Sequence, residues 1–333
     1  MQNPFRDTAW ACRPAPAAVT DFHRSLPGYA PTRLAALPAL ARAAGISRLY
    51  AKQESNRLGL PAFKALGASW AIHRALHEHR PAGPVTIVTA TDGNHGRAVA
   101  HFARAFGHRA TIYVPDGVSA FAVEAIRGEG GEVVHVPGDY DTAVRAAAEA
   151  PGGLLVQDTA WAGYEEIPAW IVDGYSTLFA EIDEQLDGEP DLVLVPTGVG
   201  SLLQAALTHY RSRPGAVRVV SVEPATAACV RASVAAGRPV TVATATTNMA
   251  GLNCGTVSAL AWPYIRAGLD ACVTVDDGAA AAAGRELAAH GVDAGPCGAA
   301  PLAALDVLRA GALLPPDATV VLLVTEGSAA AGA

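Results

Sequence analysis

Lys64 sits in "PAFKALGAS", residues 61–69, with small and apolar neighbours. Desolvation disfavours an ammonium, so such a setting lowers a lysine's pKa and frees its lone pair for attack on a carbonyl. The same residue also reads as a snorkelling helix lysine. "VPTGVGSLL", 195–203, ends a strand and puts Gly198, Val199, Gly200 and Ser201 ahead of a helix. Backbone amides in such a turn, with the helix N-terminus behind them, form a cradle for an anion, and the Ser201 hydroxyl is a further donor. A plain tight strand–helix turn explains the stretch equally well. It has neither GxGxxG spacing nor a following GK[ST], so neither a dinucleotide nor an ATP site fits. "TATDGNHGRAVA", 89–100, brings Asp92, Asn94 and His95 into a loop entering a helix. Asp92 and Asn94 also read as helix caps, and His95 as a packed histidine bonded to backbone.

Taken jointly, the three stretches suit one group. A lysine among apolar residues, a phosphate-sized glycine cradle and an asparagine able to reach a phenolic oxygen match pyridoxal phosphate, whose aldehyde condenses with a lysine amine.

The elements that must position these residues follow a βα pattern. "VTIVTATDGNHGRAVAHFARAFG", "RATIYVPDGVSAFAVEAIRGEGG" and "GEVVHVPGDYDTAVRAAAEA" each run strand, loop, helix, which implies a parallel sheet with its loops at the carboxyl ends of the strands. A second series comprises "DLVLVPTGVGSLLQAALTHYR", "VRVVSVEP", two alanine-rich helical stretches and the closing strand "ATVVLLVTEG". Between the series, "EIPAWIVDGYSTLFAEIDEQL" has the spacing of an amphipathic helix. No glycine- or serine-rich linker separates two independent units, so two lobes that exchange the chain are expected, and "SAAAGA" reads as a loose end.

Composition supports an α/β fold with a large core: 333 residues, 51% hydrophobic and 17% charged. The 24 basic against 31 acidic residues, a net −7 without a basic run, argue against a nucleic-acid partner. The apolar runs are strand-length, which argues against a membrane span. The first residues, "MQNPFRDTAWACRPAP", do not read as a signal peptide, so a cytoplasmic protein is expected. Cys12, Cys229, Cys254, Cys272 and Cys297 are too scattered for a zinc site, and no metal is expected. They read as buried small hydrophobes, with a Cys229–Cys254 pairing left open.

"KQESNRLGLPAFKALGAS", "TDGNHGRAVA" and "PTGVGSL" resemble the fold-type II pyridoxal-phosphate enzymes, the tryptophan-synthase-β-like superfamily. "FHRSLPGYAPTRL", "QDTAWAGYEEIPAWI" and "MAGLNCG" are similar to its diaminopropionate ammonia-lyase family, and the resemblance runs from about Phe22 to Gly327. Asp92 stands where the superfamily's asparagine loop usually has serine, and the loops between about 235 and 300 are shorter than is usual for that family. The resemblance implies two three-layer αβα lobes with mainly parallel sheets and the cofactor between them, residues 1–67 with 158–333 as the large lobe and 68–157 as the small one. It implies that Lys64 condenses with the cofactor aldehyde and that Phe63 sits beside it. Asn94 meets the phenolic oxygen, Gly198, Val199, Gly200 and Ser201 take the phosphate, and Thr325 faces the pyridine nitrogen. Thr325 also reads as an ordinary strand-end residue.

The activity implied is β-elimination, converting 2,3-diaminopropionate to pyruvate and ammonia by way of aminoacrylate. Asp92 and Asp158 are the two acids, although Asp92 also reads as a helix cap and Asp158 as an Asx-turn residue. Chemically, a carboxylate pairs with a β-ammonium where serine offers only a hydroxyl. Lys64 is then the base for an L-substrate and Asp92 for a D-substrate, and the substrate carboxylate rests on amides around Thr91 to Gly93 and of the turn after Lys64. A serine or threonine dehydratase and a β-replacement synthase are the alternatives. Trp161, Tyr164 and Trp170 read as helix packing or as a loop over the substrate. The partner is a small amino acid, and family members are homodimers.

Overall fold

The computed structural model describes residues 1–311 and 313–331. The strands are β1 (Leu34–Ala36), β2 (Arg48–Gln53), β3 (Thr86–Ala90), β4 (Arg109–Val114), β5 (Gly131–His135), β6 (Gly153–Leu155), β7 (Leu192–Pro196), β8 (Arg218–Pro224), β9 (Ala271–Val275) and β10 (Thr319–Val324). The strands of the three βα units of the first series, joined by β6, form a parallel sheet, β5-β4-β3-β6. The remaining strands form a second sheet, β1-β2-β10-β7-β8-β9, parallel apart from β1. This is the mixed α/β, two-lobed architecture expected of a fold-type II enzyme.

Strands β7 and β10 are buried at every residue. Covered on both faces, such strands carry continuous apolar runs instead of alternation, which is why "DLVLVP" and "TVVLLVT" read as they do. The last strand inserts between β2 and β7, with Val324 opposite Gln53. The chain therefore returns from its far end to the middle of the sheet.

The helix Lys64–His79 carries the lysine and packs closely on the helix Glu166–Gly174. Two glycines allow the approach: a Cβ on Gly67 would lie 2.5 Å from Tyr175 Cε1, and one on Gly174 would lie 2.6 Å from the Leu66 carbonyl. The stretch expected to be one amphipathic helix is two, Glu166–Gly174 and Ser176–Gln185, joined at the buried Tyr175. Its ring packs on Phe63 at 4.7 Å. Apolar spacing is nearly insensitive to a one-residue joint, so the sequence pattern runs straight through it.

The segment between β2 and the lysine helix is held by buried charge. Arg57 donates to Glu54 and to Glu181, and Lys52 Nζ lies 2.6 Å from Glu181 Oε2. All four side chains are excluded from water. Cys229 and Cys254 are free thiols, so the pairing left open is not formed. Among the described residues no helix is long and apolar enough to cross a membrane. Of the expected loose end, Ser328–Ala331 is a short helix, and residues 332 and 333 lie outside the described residues.

Candidate active site

Lys64 is the first residue of its helix, and the backbone before it is zipped to the end of β10. The Phe63 amide donates to the Thr325 carbonyl at 3.0 Å and the Gly327 amide to the Pro61 carbonyl at 3.0 Å. Ala62 bridges Glu326 between them. The lysine, Thr325 and Glu326 thereby line one cavity of about 140 Å³. Phe63, Asp92, Asn94, Asp158 and the loop Gly198–Ser201 line the same cavity, so every residue singled out as catalytic or cofactor-binding converges there. Asp92 and Asn94 come from the four-stranded lobe, at the carboxyl end of β3.

Lys64 Nζ donates to Asp158 Oδ2 at 2.5 Å. Burial alone pulls the amine down, as its apolar neighbours suggest, but the attraction of Asp158 outweighs it and holds Lys64 above the ordinary lysine value. The expectation of a lowered pKa thus fails, because the deciding partner lies 94 positions away in the chain. Conversely, burial pushes Asp158 up and the Lys64 charge overrides it, keeping the carboxylate ionised well below its usual range. Its Oδ1 accepts from Tyr140 Oη at 3.3 Å and Gln157 Nε2 at 3.2 Å. Gln157 is fixed in turn by Thr89 Oγ1 and the Ala90 amide. Asp158 is therefore aimed at the cavity and is not closing a local turn.

Asp92 is half-buried and is pushed up to about 7, first by burial and then by the Asp158 charge, with Lys64 opposing. It does not cap the helix Asn94–Ala105. Thr91 does, its Oγ1 accepting from the amides of Gly93 at 2.9 Å and Gly96 at 3.0 Å. The Thr91 amide is also taken, by the Tyr113 carbonyl. Of the Thr91–Gly93 amides expected to receive a carboxylate, two are thus already bonded and only that of Asp92 is left among the described residues. His95 is the packed histidine expected, Nε2 lying 2.9 Å from the Val156 carbonyl and its ring kept neutral by burial.

At the glycine loop, the amides of Gly198, Val199, Gly200 and Ser201 meet no protein acceptor among the described residues. Gly200 has φ +102°, a left-handed conformation that curls the loop, and a Cβ on Gly198 would lie 2.9 Å from Cys254 Sγ. These orphan donors precede the helix Ser201–Arg211, whose N-terminus adds partial positive charge. The Ser201 hydroxyl itself donates to the Asp158 carbonyl at 2.9 Å, tying the loop to the acid. Among the described residues Lys64 is the only lysine or arginine lining the cavity, so a phosphate here would be held by amides. Phosphate cradle, lysine amine, Asn94 amide and Thr325 hydroxyl together fit pyridoxal phosphate in the chemistry of the donor set.

Tyr140, Cys254, Cys297 and Glu326 also line the cavity and were not singled out from the sequence. Tyr140 lies just after β5, where the loop rule for parallel sheets points, and Glu326 is the residue next to Thr325. Burial pushes both thiols far up, which removes them as nucleophiles. The cavity opens on a groove of about 1,250 Å³, with Asp92, Tyr140 and Cys254 on both. Trp161 lies on the groove wall, stacked on Tyr164 at 4.5 Å, while Trp170 is buried in helix packing.

The family model described as "Pyridoxal-phosphate dependent enzyme" matches residues 26–326. The chain is 37% identical over 290 residues to the diaminopropionate ammonia-lyase of Salmonella typhimurium, covering 78% of this chain and 72% of that one. It is 31% identical over 314 residues to the biosynthetic L-threonine dehydratase of Mycobacterium leprae, covering 92% and 70%. The crystal structure of the Escherichia coli diaminopropionate ammonia lyase in complex with an aminoacrylate-PLP azomethine reaction intermediate superposes with a TM-score of 0.91. It is 33% identical, with 99% of this chain and 93% of that one covered.

Proposed function

We propose, since the chain belongs to the family of pyridoxal-phosphate-dependent enzymes, that it is a carbon–nitrogen lyase that eliminates ammonia from 2,3-diaminopropionate and yields pyruvate and a second ammonia. The observation that carries this is the pair of carboxylates, Asp92 and Asp158, lining the same cavity as Lys64. A substrate with a β-ammonium needs an anionic partner next to the bond that breaks, and a hydroxyl is a poorer one.

Lys64 would hold the cofactor through its aldehyde, Gly198, Val199, Gly200 and Ser201 would hold the phosphate, Asn94 the phenolic oxygen and Thr325 the pyridine nitrogen, with Phe63 as a wall. Bound there, the cofactor supplies a sink for the electron pair left at Cα when its proton is removed. Lys64 in its neutral form removes that proton from an L-substrate and Asp92 from a D-substrate, since the enantiomers present it to opposite faces. Asp158, which the Lys64 charge keeps ionised while that amine is protonated, holds the β-ammonium, whose own charge then takes that role and whose nitrogen leaves with the bonding pair as ammonia. Tyr140 and Gln157 orient Asp158 for this. An Asp92 that titrates near 7 is suited to take and return a proton near neutral pH. The released aminoacrylate hydrolyses to pyruvate and ammonia.

On the same reading, residues 1–67 with 158–333 form the large lobe and 68–157 the small one. The enzyme works as a cytoplasmic homodimer, and sedimentation velocity checks the dimer. The decisive experiment is a substrate panel scored for pyruvate and ammonia. D- and L-diaminopropionate are expected to outpace serine and threonine, and Asp92→Asn to slow the D-isomer more than the L-isomer. Faster turnover of serine or threonine would make the protein a dehydratase, which the similarity to the threonine dehydratase favours as the second reading. Equal loss on both enantiomers would remove the two-base assignment.

A further inference from the structure

We propose that Glu326 is a positioning residue that fixes the amide of Asn94 with its nitrogen, not its oxygen, as the cavity-side donor. The inference rests on Asn94 contacting the cofactor's phenolic oxygen. Asn94 Nδ2 donates to Glu326 Oε2 at 2.6 Å across 232 positions of sequence, joining the start of the Asn94–Ala105 helix to the end of β10. A carboxylate only accepts, so the nitrogen end of the amide must face it. Nδ2 carries two protons; one is spent on Glu326 and the second remains for an acceptor in the cavity. An asparagine without such a partner is free to turn its oxygen toward a phenolic oxygen and repel it.

The surroundings of Glu326 are built around its carboxylate. Oε1 accepts from the Cys297 amide at 3.2 Å, in the first turn of the helix Pro296–Ala310, where the helix dipole favours negative charge. Its own carbonyl accepts from the Gly295 amide at 3.0 Å. Glycines flank it because nothing larger fits: a Cβ on Gly295 would lie 2.9 Å from Glu326 Oε1, and one on Gly298 would lie 2.7 Å from the Glu326 carbonyl. Yet among the described residues no lysine or arginine pairs with it within salt-bridge distance. A carboxyl group 6% exposed, pushed up by burial and opposed in this only by the Cys297 amide and thiol, the Asn94 amide and the more distant Lys64 charge, is a costly way to fill a wall that an apolar side chain would fill better. Orientation of Asn94 accounts for the cost.

The test is a double-mutant cycle read by cofactor binding instead of turnover. Pyridoxal phosphate is titrated into the cofactor-free forms of wild type, Glu326→Gln, Asn94→Ala and the double variant, following visible absorbance. Glu326→Gln keeps the shape but offers its own donor, so it is expected to weaken binding about tenfold, ~1.4 kcal/mol. It is also expected to shift the pH midpoint of the bound cofactor's visible band. In the Asn94→Ala background the same change is expected to alter affinity less than about twofold. Equal losses in both backgrounds, or no loss in either, overturn the proposal. If Glu326→Gln unfolds, Glu326→Met keeps the length, removes the acceptor and carries the same comparison. A wild type that takes up no pyridoxal phosphate overturns the cofactor assignment itself, and is told apart from the other outcomes by that single curve.

Discussion

Replacing Asp92 by Asn is expected to stabilise the protein at pH 8 while damaging its catalysis. The carboxyl is raised from an ordinary 3.8 to about 7 by burial and by Asp158. Between those two values the unfolded chain has released its proton and the folded chain has not. Stability is therefore lost as pH rises from about 4 to about 7, and the full penalty applies above that range. At ~1.4 kcal/mol per pH unit the penalty is about 4 kcal/mol. Water on the exposed side of this half-buried group screens it, which leaves roughly 2 kcal/mol. Asn cannot ionise and escapes it. Lys64 and Asp158 are displaced above and below this range and keep their charges through it. The expected result in urea unfolding is a gain for Asp92→Asn of about 2 kcal/mol at pH 8 and under about 1 kcal/mol at pH 5. A gain of the same size at both pH values would refute the argument, since the difference between them is the titration of Asp92 inside the fold.

Glu181→Gln leaves Arg57 and Lys52 with Glu54 as their remaining buried carboxylate, and should cost about 3 kcal/mol in the same assay. Arg57 and Lys52 hold Glu181 down at about 2 against burial, so its contribution is present above pH 4.5 and lost as pH falls through 2. The variant should accordingly show a shallower acid transition. Gly200→Ala places a side chain at φ +102° and a Cβ 3.0 Å from Ile265 Cδ1. Pyridoxal phosphate binding should fall at least tenfold, measured by titration, with unchanged affinity counting against the amide cradle. Lys64→Ala should lose the covalent cofactor and its colour, read from the visible spectrum after dialysis.

Much of the site was legible because it is built from local chemistry. Glycines that curl before a helix, an asparagine at a strand's carboxyl end and a lysine at a helix start are each visible within about ten residues. Their joint occurrence picks out a cofactor even though none does so alone. The roles of single acids were less legible. Asp92 and Thr91 are both good capping residues by type, and only the fold decides that Thr91 takes the amides of Gly93 and Gly96 while Asp92 faces the cavity. Tyr140 and Glu326 were marked only by position, after β5 and beside Thr325, and the role of Glu326 depends on Asn94, 232 positions away.

By itself, then, the chain determined its βα order, most of its elements apart from the joint at Tyr175, its cofactor motifs and the residues able to do the chemistry, because periodicity and turn chemistry act over a few residues. Tertiary structure decided the order of strands in the large sheet, with β10 between β2 and β7. It also decided which amides stay unbonded and in which direction each ionisable group is shifted. The sign for Lys64 is the clearest case. Its apolar neighbours push its pKa down, and a single carboxylate brought in at 2.5 Å reverses them. At that distance and with little water between, one charge outweighs a whole apolar environment.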